Sequence, residues 1–412
     1  MRVADGSNTD TWANQQRESD QLRARMTSPK VDESHITLPQ PIFQTPAANP
    51  SFLSVHGNHF QLNGERVFLS GANQAWVSYG YDFGNRNYQW RGPQLERYLK
   101  ELQQAGGNSL RIWIHIEGAV TPNFDGNGYV TAPDKEGTFL NEMKTYLRKA
   151  QEYNILVFFC LWNGALVKPE DHYKLDGLIK DTRKLQSYID KALIPWVNAV
   201  KGFRSLGGWD IINEPEGQII PDVQNSEPCF DTRSLKNTGA GFEARTYTAQ
   251  QLLRFINWQA DAIHRADPKS LVSVGTWNVQ SNTDAMGKVD FYKDSCLIIA
   301  GGRAKGTLDF VQTHSYSHQG SYDSYAPFKH VASDYGHSKP IVIGEFNQVK
   351  GAGMDIVDQF AWAYNKGYSG AWTWHARADG SDTDTWANQQ RGIRSVKGKN
   401  DQSKGGRVHI TL

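Results

Sequence analysis

Gly208-Trp-Asp-Ile-Ile-Asn-Glu-Pro215 is an apolar run that stops on a carboxylate, and Pro340-Ile-Val-Ile-Gly-Glu-Phe346 repeats the arrangement further along the chain. Short runs of this kind, rich in Ile and Val, read as strands buried on both faces, as in a parallel sheet. A glutamate at the mouth of such a core is costly unless its charge is used. Two such strands suggest two carboxylates, Glu214 and Glu345, facing each other across a pocket.

Working outward, the chain from residue 51 alternates short apolar strands with amphipathic helices. Strands are expected at 67–73, 109–115, 155–162, 208–213, 271–277, 308–314, 340–345 and 369–374. Helical spacing of three and four links Leu95, Tyr98, Leu99 and Leu102, then Phe139, Leu140, Met143, Tyr146 and Leu147, then Leu252, Phe255, Ile256 and Ile263. The helix after the fifth strand has the faintest pattern. Eight alternations in this length favour an α/β fold of the (β/α)8 (TIM) barrel type over a doubly wound sheet. A hairpin over His56 to Glu65 precedes the first strand and is expected to plug the bottom of the barrel.

Two stretches within the first 38 residues repeat the end of the chain. Ala4 to Arg17 recurs at Ala378 to Arg391 with one change, Asn8 for Asp382, and His35-Ile-Thr-Leu38 recurs as His409-Ile-Thr-Leu412. Segment 1–38 therefore reads as the duplicated C-terminal tail of a preceding module in a tandem array, with a gene-model artefact as the rival reading, followed by a Pro/Gln/Asn-rich linker to about residue 50. The barrel occupies 51–412.

Bulk composition excludes several classes. With 412 residues and a net charge of +1, the chain shows no electrostatic footprint for nucleic acid or an anionic membrane surface. It lacks an apolar run of roughly 18 residues, so no membrane crossing is expected. The N-terminus has no apolar leader core, so secretion would require a leader outside this sequence. No Asn-x-Ser/Thr site with x other than Pro is present, so N-glycans are not expected. Cys160 sits in the apolar run Leu156-Val-Phe-Phe-Cys-Leu161 and reads as a buried thiol. Cys229 and Cys296 are both expected in loops, where a disulfide and two free thiols are both open. No Cys/His cluster has metal-ligand spacing, so no metal is expected.

A barrel of this type carries its site at the C-terminal ends of the strands. There the sequence places Asn73 and Trp76, then Arg111, Trp113 and His115, then Trp162-Asn163 and Asn213-Glu214. Trp277-Asn278, His314-Ser-Tyr316, Glu345, Trp372 and Trp374 follow. Pyranose rings offer apolar C–H faces to indoles and a belt of hydroxyls to Asn, His, Tyr and Arg. Paired carboxylates are the minimum apparatus for cleaving a glycosidic bond. Tryptophans 372 and 374 share a strand face, and Trp372 is expected to floor the site, with Trp374 either beside it or packing above the barrel. For Trp277 an aglycone platform and plain packing are both open, as are substrate contact and packing for Trp76, Trp113 and Trp162, with packing favoured. His115 is read either as a satisfied rim histidine or as a substrate contact. Tryptophans 196, 209, 258 and 362 are expected in the core. Long polar loops at 117–137 and 215–247 would wall a groove for an extended chain.

Asn213-Glu214-Pro215 on the fourth strand and Gly344-Glu345-Phe346 on the seventh, with Arg111 and His314-x-Tyr316, resemble glycoside hydrolase family 5. Across 51–390 the chain most resembles the animal endo-β-1,4-mannanases of molluscs and arthropods. The resemblance implies a retaining hydrolase of β-mannan in which Glu345 is the nucleophile and Glu214 the acid/base. Their carboxyl groups would then be roughly 5–5.5 Å apart. It implies that Arg111 keeps the pKa of Glu345 low, Tyr316 donates to the same carboxylate, Asn213 binds the sugar 2-hydroxyl and His314 lines that subsite. No cofactor is implied. Trp162-Asn163 departs from the wider family, many members of which carry a histidine there. That weakens a cellulase reading, which stays as the alternative beside a non-catalytic glycan-binding barrel.

Overall fold

A computed structural model gives the architecture and describes residues 51–164, 174–377 and 383–412. The expectations for segment 1–38 and for the linker lie outside the described residues. Eight parallel strands close into a barrel. They are β1 (Leu69–Gln74), β2 (Ser109–Ile116), β3 (Leu156–Asn163), β4 (Leu206–Asn213), β5 (Val272–Thr276), β6 (Val311–His314), β7 (Ile341–Glu345) and β8 (Gly370–Thr373). Pairing of Gly370 with Leu69 and of Trp372 with Gly71 closes the ring. Gly71 is needed where β1 meets β2, since a Cβ there would stand 1.8 Å from the Ser109 carbonyl oxygen.

The helices are α1 (Tyr88–Ala105), α2 (Phe139–Glu152), α3 (Leu175–Lys180), α4 (Thr182–Tyr188), α5 (Ile194–Val200), α6 (Ala249–Ala266), α7 (Asp294–Gly301), α8 (Ile356–Asn365) and α9 (Trp386–Ser395). A π-turn over Ile189–Leu193 joins α4 to α5, just ahead of Pro195, which has no N–H to give a regular helix. Helix α6 starts with a capping box: the Thr248 hydroxyl accepts from Gln251 N–H at 3.2 Å and the Gln251 amide oxygen accepts from Thr248 N–H at 3.0 Å. Helix α7, the faintest in the sequence, does form, in eight residues. Among the described residues no α-helix lies between β6 and β7, where two 3-10 turns, Pro327–Lys329 and Ala332–Tyr335, stand instead. Segment 315–339 is broken by Gly320, Pro327 and Gly336 and has no sustained helical period.

Two cores result. The larger lies between the barrel wall and the helices. The smaller fills the lower barrel with Leu69, Leu156, Phe158, Phe310, Val342 and Trp372, and is capped by Phe60 and Leu62. Those two belong to the expected hairpin, in which Ser54–His56 pairs with His59–Leu62. Strands Glu65–Val67, Gly406–Arg407 and Asn400–Asp401 extend it to five strands. The tail thus helps to plug the barrel, which the sequence pattern had not announced. Cys229 and Cys296 are bonded. Cys296 lies within α7 rather than in a loop, so the bridge ties the 215–247 loop to that helix. Cys160 is a buried free thiol.

Candidate active site

Arg111 is the hub of the upper barrel. It is fully buried on β2, and its guanidinium reaches four oxygen acceptors on three other strands. Nε donates to Asp210 at 2.6 Å, Nη1 to Glu345 at 2.8 Å and to Asn73 at 3.1 Å, and Nη2 to Asn213 at 2.8 Å. Burial opposes the charge, but Asp210, Cys160 and Glu345 hold the guanidinium pKa above its ordinary value. An unpaired ion here would cost several kcal/mol, on the order of 3–5 when one partner of a buried pair is removed. Asp210 also accepts from Gly275 N–H at 2.9 Å. Gly275 must be glycine, because a Cβ would lie 2.5 Å from Arg111 Nη2.

Around this hub the chain ends of β4, β6 and β7 converge. A carboxylate oxygen of Glu214, a ring nitrogen of His314 and a carboxylate oxygen of Glu345 all lie within 4.8 Å of one another. Glu345 is buried, with Oε1 on Arg111 and Oε2 accepting from the Tyr316 hydroxyl at 2.9 Å. His314 Nδ1 stands 2.6 Å from Glu214 Oε1 and 3.5 Å from Glu345 Oε2. Such a trio has the spacing to hold a cation. Both Glu345 oxygens, however, already accept from Arg111 and Tyr316, which a cation would have to displace. Glu214 adopts a left-handed backbone, with φ of 44°, a strained conformation for a residue with a side chain.

Burial pushes the Glu214 carboxyl up to about 7, against the pull of Arg111. The Glu345 carboxyl is also raised, by burial, against the opposing effect of His314. The expectation that Arg111 holds it below the ordinary range is therefore corrected: desolvation at the barrel mouth outweighs the counter-ions. Burial lowers His314 to about 4, leaving a neutral imidazole. Of the two acids, Glu345 is held by a cation and a hydroxyl donor, so the shared proton belongs on Glu214.

The structure brings Arg111, Asn213, Glu214, His314, Tyr316 and Glu345 together. Trp374 stands half-buried in the same layer, edge-on to Trp113 with ring centroids 5.3 Å apart. Trp113 lies under the Arg111 guanidinium, 4.0 Å from ring centroid to Cζ. Trp277 is half-buried on the β5 rim, with its ring 6.0 Å from the exposed Phe242 of the 215–247 loop. The contact expected of Trp372 and the one held open for Trp162 both fail. Trp372 is fully buried one layer down, donates from Nε1 to Ser109 Oγ at 2.9 Å, and packs on Phe158. It sits below the site because residues two apart on a strand are separated along its length. Trp162 faces outward and donates from Nε1 to Gln259 of α6 at 3.0 Å. His115 is likewise in the outer layer, on Thr121 Oγ1 at 2.8 Å, and burial lowers it to about 3.

Residues that sequence reasoning missed are Asp210, Gln312 and Glu117. Asp210 had a signal: it is a charge in the middle of an apolar strand. Gln312 donates to Asp210 at 3.2 Å. Glu117 at the rim accepts from Asn163 Nδ2 at 3.1 Å and from the Tyr79 hydroxyl. Nothing in its local sequence marked it.

With this geometry in place, likeness to known proteins becomes informative. No family model matches the sequence. The mannan endo-1,4-β-mannosidase of Mytilus edulis is 53% identical over 352 residues, covering 85% of this chain and 94% of that protein. The chain is a member of the animal endo-β-1,4-mannanases of glycoside hydrolase family 5. The mannan endo-1,4-β-mannosidase of Cryptopygus antarcticus is 43% identical over 372 residues, 89% of this chain and 96% of that protein. The crystal structure of endo-1,4-β-mannanase from Eisenia fetida superposes on this member of the family with a TM-score of 0.85 at 46% identity, covering 87% of this chain and 99% of that one.

Proposed function

We propose that this mannanase-family barrel cleaves internal β-1,4-mannosidic bonds of mannan-type polysaccharides by a retaining double displacement. The observation that carries the reading is the close approach of Glu214 and Glu345, within 4.8 Å at their nearest ligating oxygens. Retaining enzymes hold their carboxyl groups roughly 5–5.5 Å apart and inverting ones roughly 6.5–9.5 Å, and the approach of these two oxygens fits the retaining class. Glu345, oriented by Arg111 and Tyr316, attacks the anomeric carbon and forms a covalent glycosyl-enzyme. Glu214, protonated below about pH 7, gives its proton to the departing oxygen. It then takes one from the incoming water. Asn213 has its Oδ1 on Arg111, which leaves Nδ2 as the donor to the sugar 2-hydroxyl. His314 lines the same subsite, Trp374 lies under the ring, and Trp277 receives the aglycone side.

The long 215–247 loop walls one side of the cleft and favours internal cleavage. Every group named comes from one barrel, which supports a monomeric module, and the repeat of Ala4 to Arg17 at Ala378 to Arg391 supports an origin in a tandem array. Among the described residues no helix is long and apolar enough to cross a membrane. The Cys229–Cys296 bridge fits a secreted protein in an oxidising compartment.

Product analysis on manno-oligosaccharides, with anomers followed by NMR, tests the mechanism. The β-anomer is expected first, and an initial α-anomer would overturn retention. Reducing ends released as fast from carboxymethyl-cellulose as from mannan would favour the glucanase alternative.

A further inference from the structure

Glu216 lies two residues beyond Glu214, and the displacement described above does not use it. Its side chain is almost wholly buried, at 1% exposure. Three donors from the segment after β5 converge on its carboxylate. Ser281 Oγ and Tyr292 Oη each stand 2.7 Å from Oε1, and Trp277 N–H donates to Oε2 at 3.3 Å. A buried acid surrounded only by donors is held as an acceptor. These donors work against burial, which pushes the carboxyl up to about 7. Its backbone carbonyl accepts from Gly241 N–H at 2.8 Å, so the same residue also grips the 215–247 loop.

Position gives these contacts their meaning. Glu214 occupies the left-handed region and persists there only if its surroundings hold the turn. Its own N–H donates to Gly275 O on β5 at 2.6 Å. The turn is thus tied to β5 and the segment that follows it twice, once through that main-chain bond and once through the Glu216 side chain. The second tie ends on Trp277, the residue facing the aglycone side. We infer that Glu216 is a positioning residue which fixes the carboxyl of Glu214 relative to the leaving-group side of the cleft. This rests on the reading of Glu214 as the acid/base.

An acid that is misplaced hurts only those substrates that need protonation. The test compares kcat/KM, which reports the first bond cleavage, on two substrates. Mannotetraose must have its departing sugar oxygen protonated, whereas 2,4-dinitrophenyl β-mannobioside expels a stable phenolate unaided. Glu216→Ala is expected to slow mannotetraose about tenfold to a hundredfold and the aryl glycoside less than about threefold. Tyr292→Phe, which removes one donor and keeps the acid, is expected to show the same selectivity at smaller size. Unfolding midpoints are measured alongside, and if Glu216→Ala does not fold, Tyr292→Phe and Ser281→Ala give the reading. Equal losses on both substrates would mean a merely structural role and overturn the inference. Glu214→Ala is the control. If it lacks the selectivity, the acid assignment falls and takes this inference with it. If it has the selectivity and the Glu216, Tyr292 and Ser281 variants do not, only the positioning role falls.

Discussion

Trp372 on β8 and Trp374 just past its end are two residues apart, yet they belong to different regions. Trp372 lies in the lower barrel among Phe158, Phe310 and Val342, under the hairpin that closes the floor. Trp374 lies in the upper barrel beside Trp113 and Cys160, in the layer of Arg111. The step between them is roughly 6.6 Å along the strand. Below it, contacts are mainly apolar, the Trp372 Nε1 bond to Ser109 Oγ aside. Above it, Arg111, Asp210, Asn213, His314 and Glu345 are buried polar groups, each dependent on a specific partner. The lower half stabilises; the upper half spends part of that stability on holding charges in place.

The largest expected effect breaks the upper half alone. Glu345→Ala should lower kcat on mannan on the order of 10⁴-fold or more, with the fold intact, as followed by reducing-end assay and circular dichroism. Oligosaccharide binding should survive, and unchanged hydrolysis would discard Glu345 as nucleophile. Next, Arg111→Met leaves Asp210 and Glu345 buried without their cation. It should cost about 3–5 kcal/mol in denaturant unfolding and abolish turnover. Third, Trp372→Ala should cost about 3–5 kcal/mol while the folded fraction keeps its kcat. Trp374→Ala should do the reverse, with little loss of stability and a higher KM for mannan. If Trp372→Ala raises KM instead, the division of the barrel into two halves fails.

The smallest effect is one of pH. The Glu214 carboxyl is raised to about 7 in the folded protein, and the acid role proposed for it needs the proton. Activity should therefore fall as pH rises through about 7, approaching tenfold per unit beyond it. The acid limb should lie above the ordinary carboxylate range, because the Glu345 pKa is raised as well. A kcat/KM profile on manno-oligosaccharides checks both limbs. A flat profile from pH 5 to 8 would contradict the burial argument for Glu214.

Much of the site was legible because strand-end chemistry is written in short motifs. Asn213-Glu214-Pro215, Gly344-Glu345-Phe346, Arg111 and His314-x-Tyr316 carry their position with them. The eight strands were legible from apolar runs. The missing helix after β6 was not, since absence of a pattern reads the same in a loop and in a weak helix such as α7. The indoles were hardest. Alternation tells which strand residues share a face, but neither which face is inside nor how deep each layer lies. Trp372 was misplaced for the second reason, and the first left Trp162 open between contact and packing.

Sequence alone determined the strand count, the two glutamates at strand ends and their membership in one rim, because apolar periodicity and terminal carboxylates are local properties of the chain. Only the tertiary structure decided that Asp210 and not Glu345 alone balances Arg111, that Trp372 is floor packing, and that Glu216 ties the acid's turn to the segment after β5. Those facts depend on which groups meet across a closed barrel, where desolvation and partner geometry set the outcome, and neither is carried by any single stretch of residues.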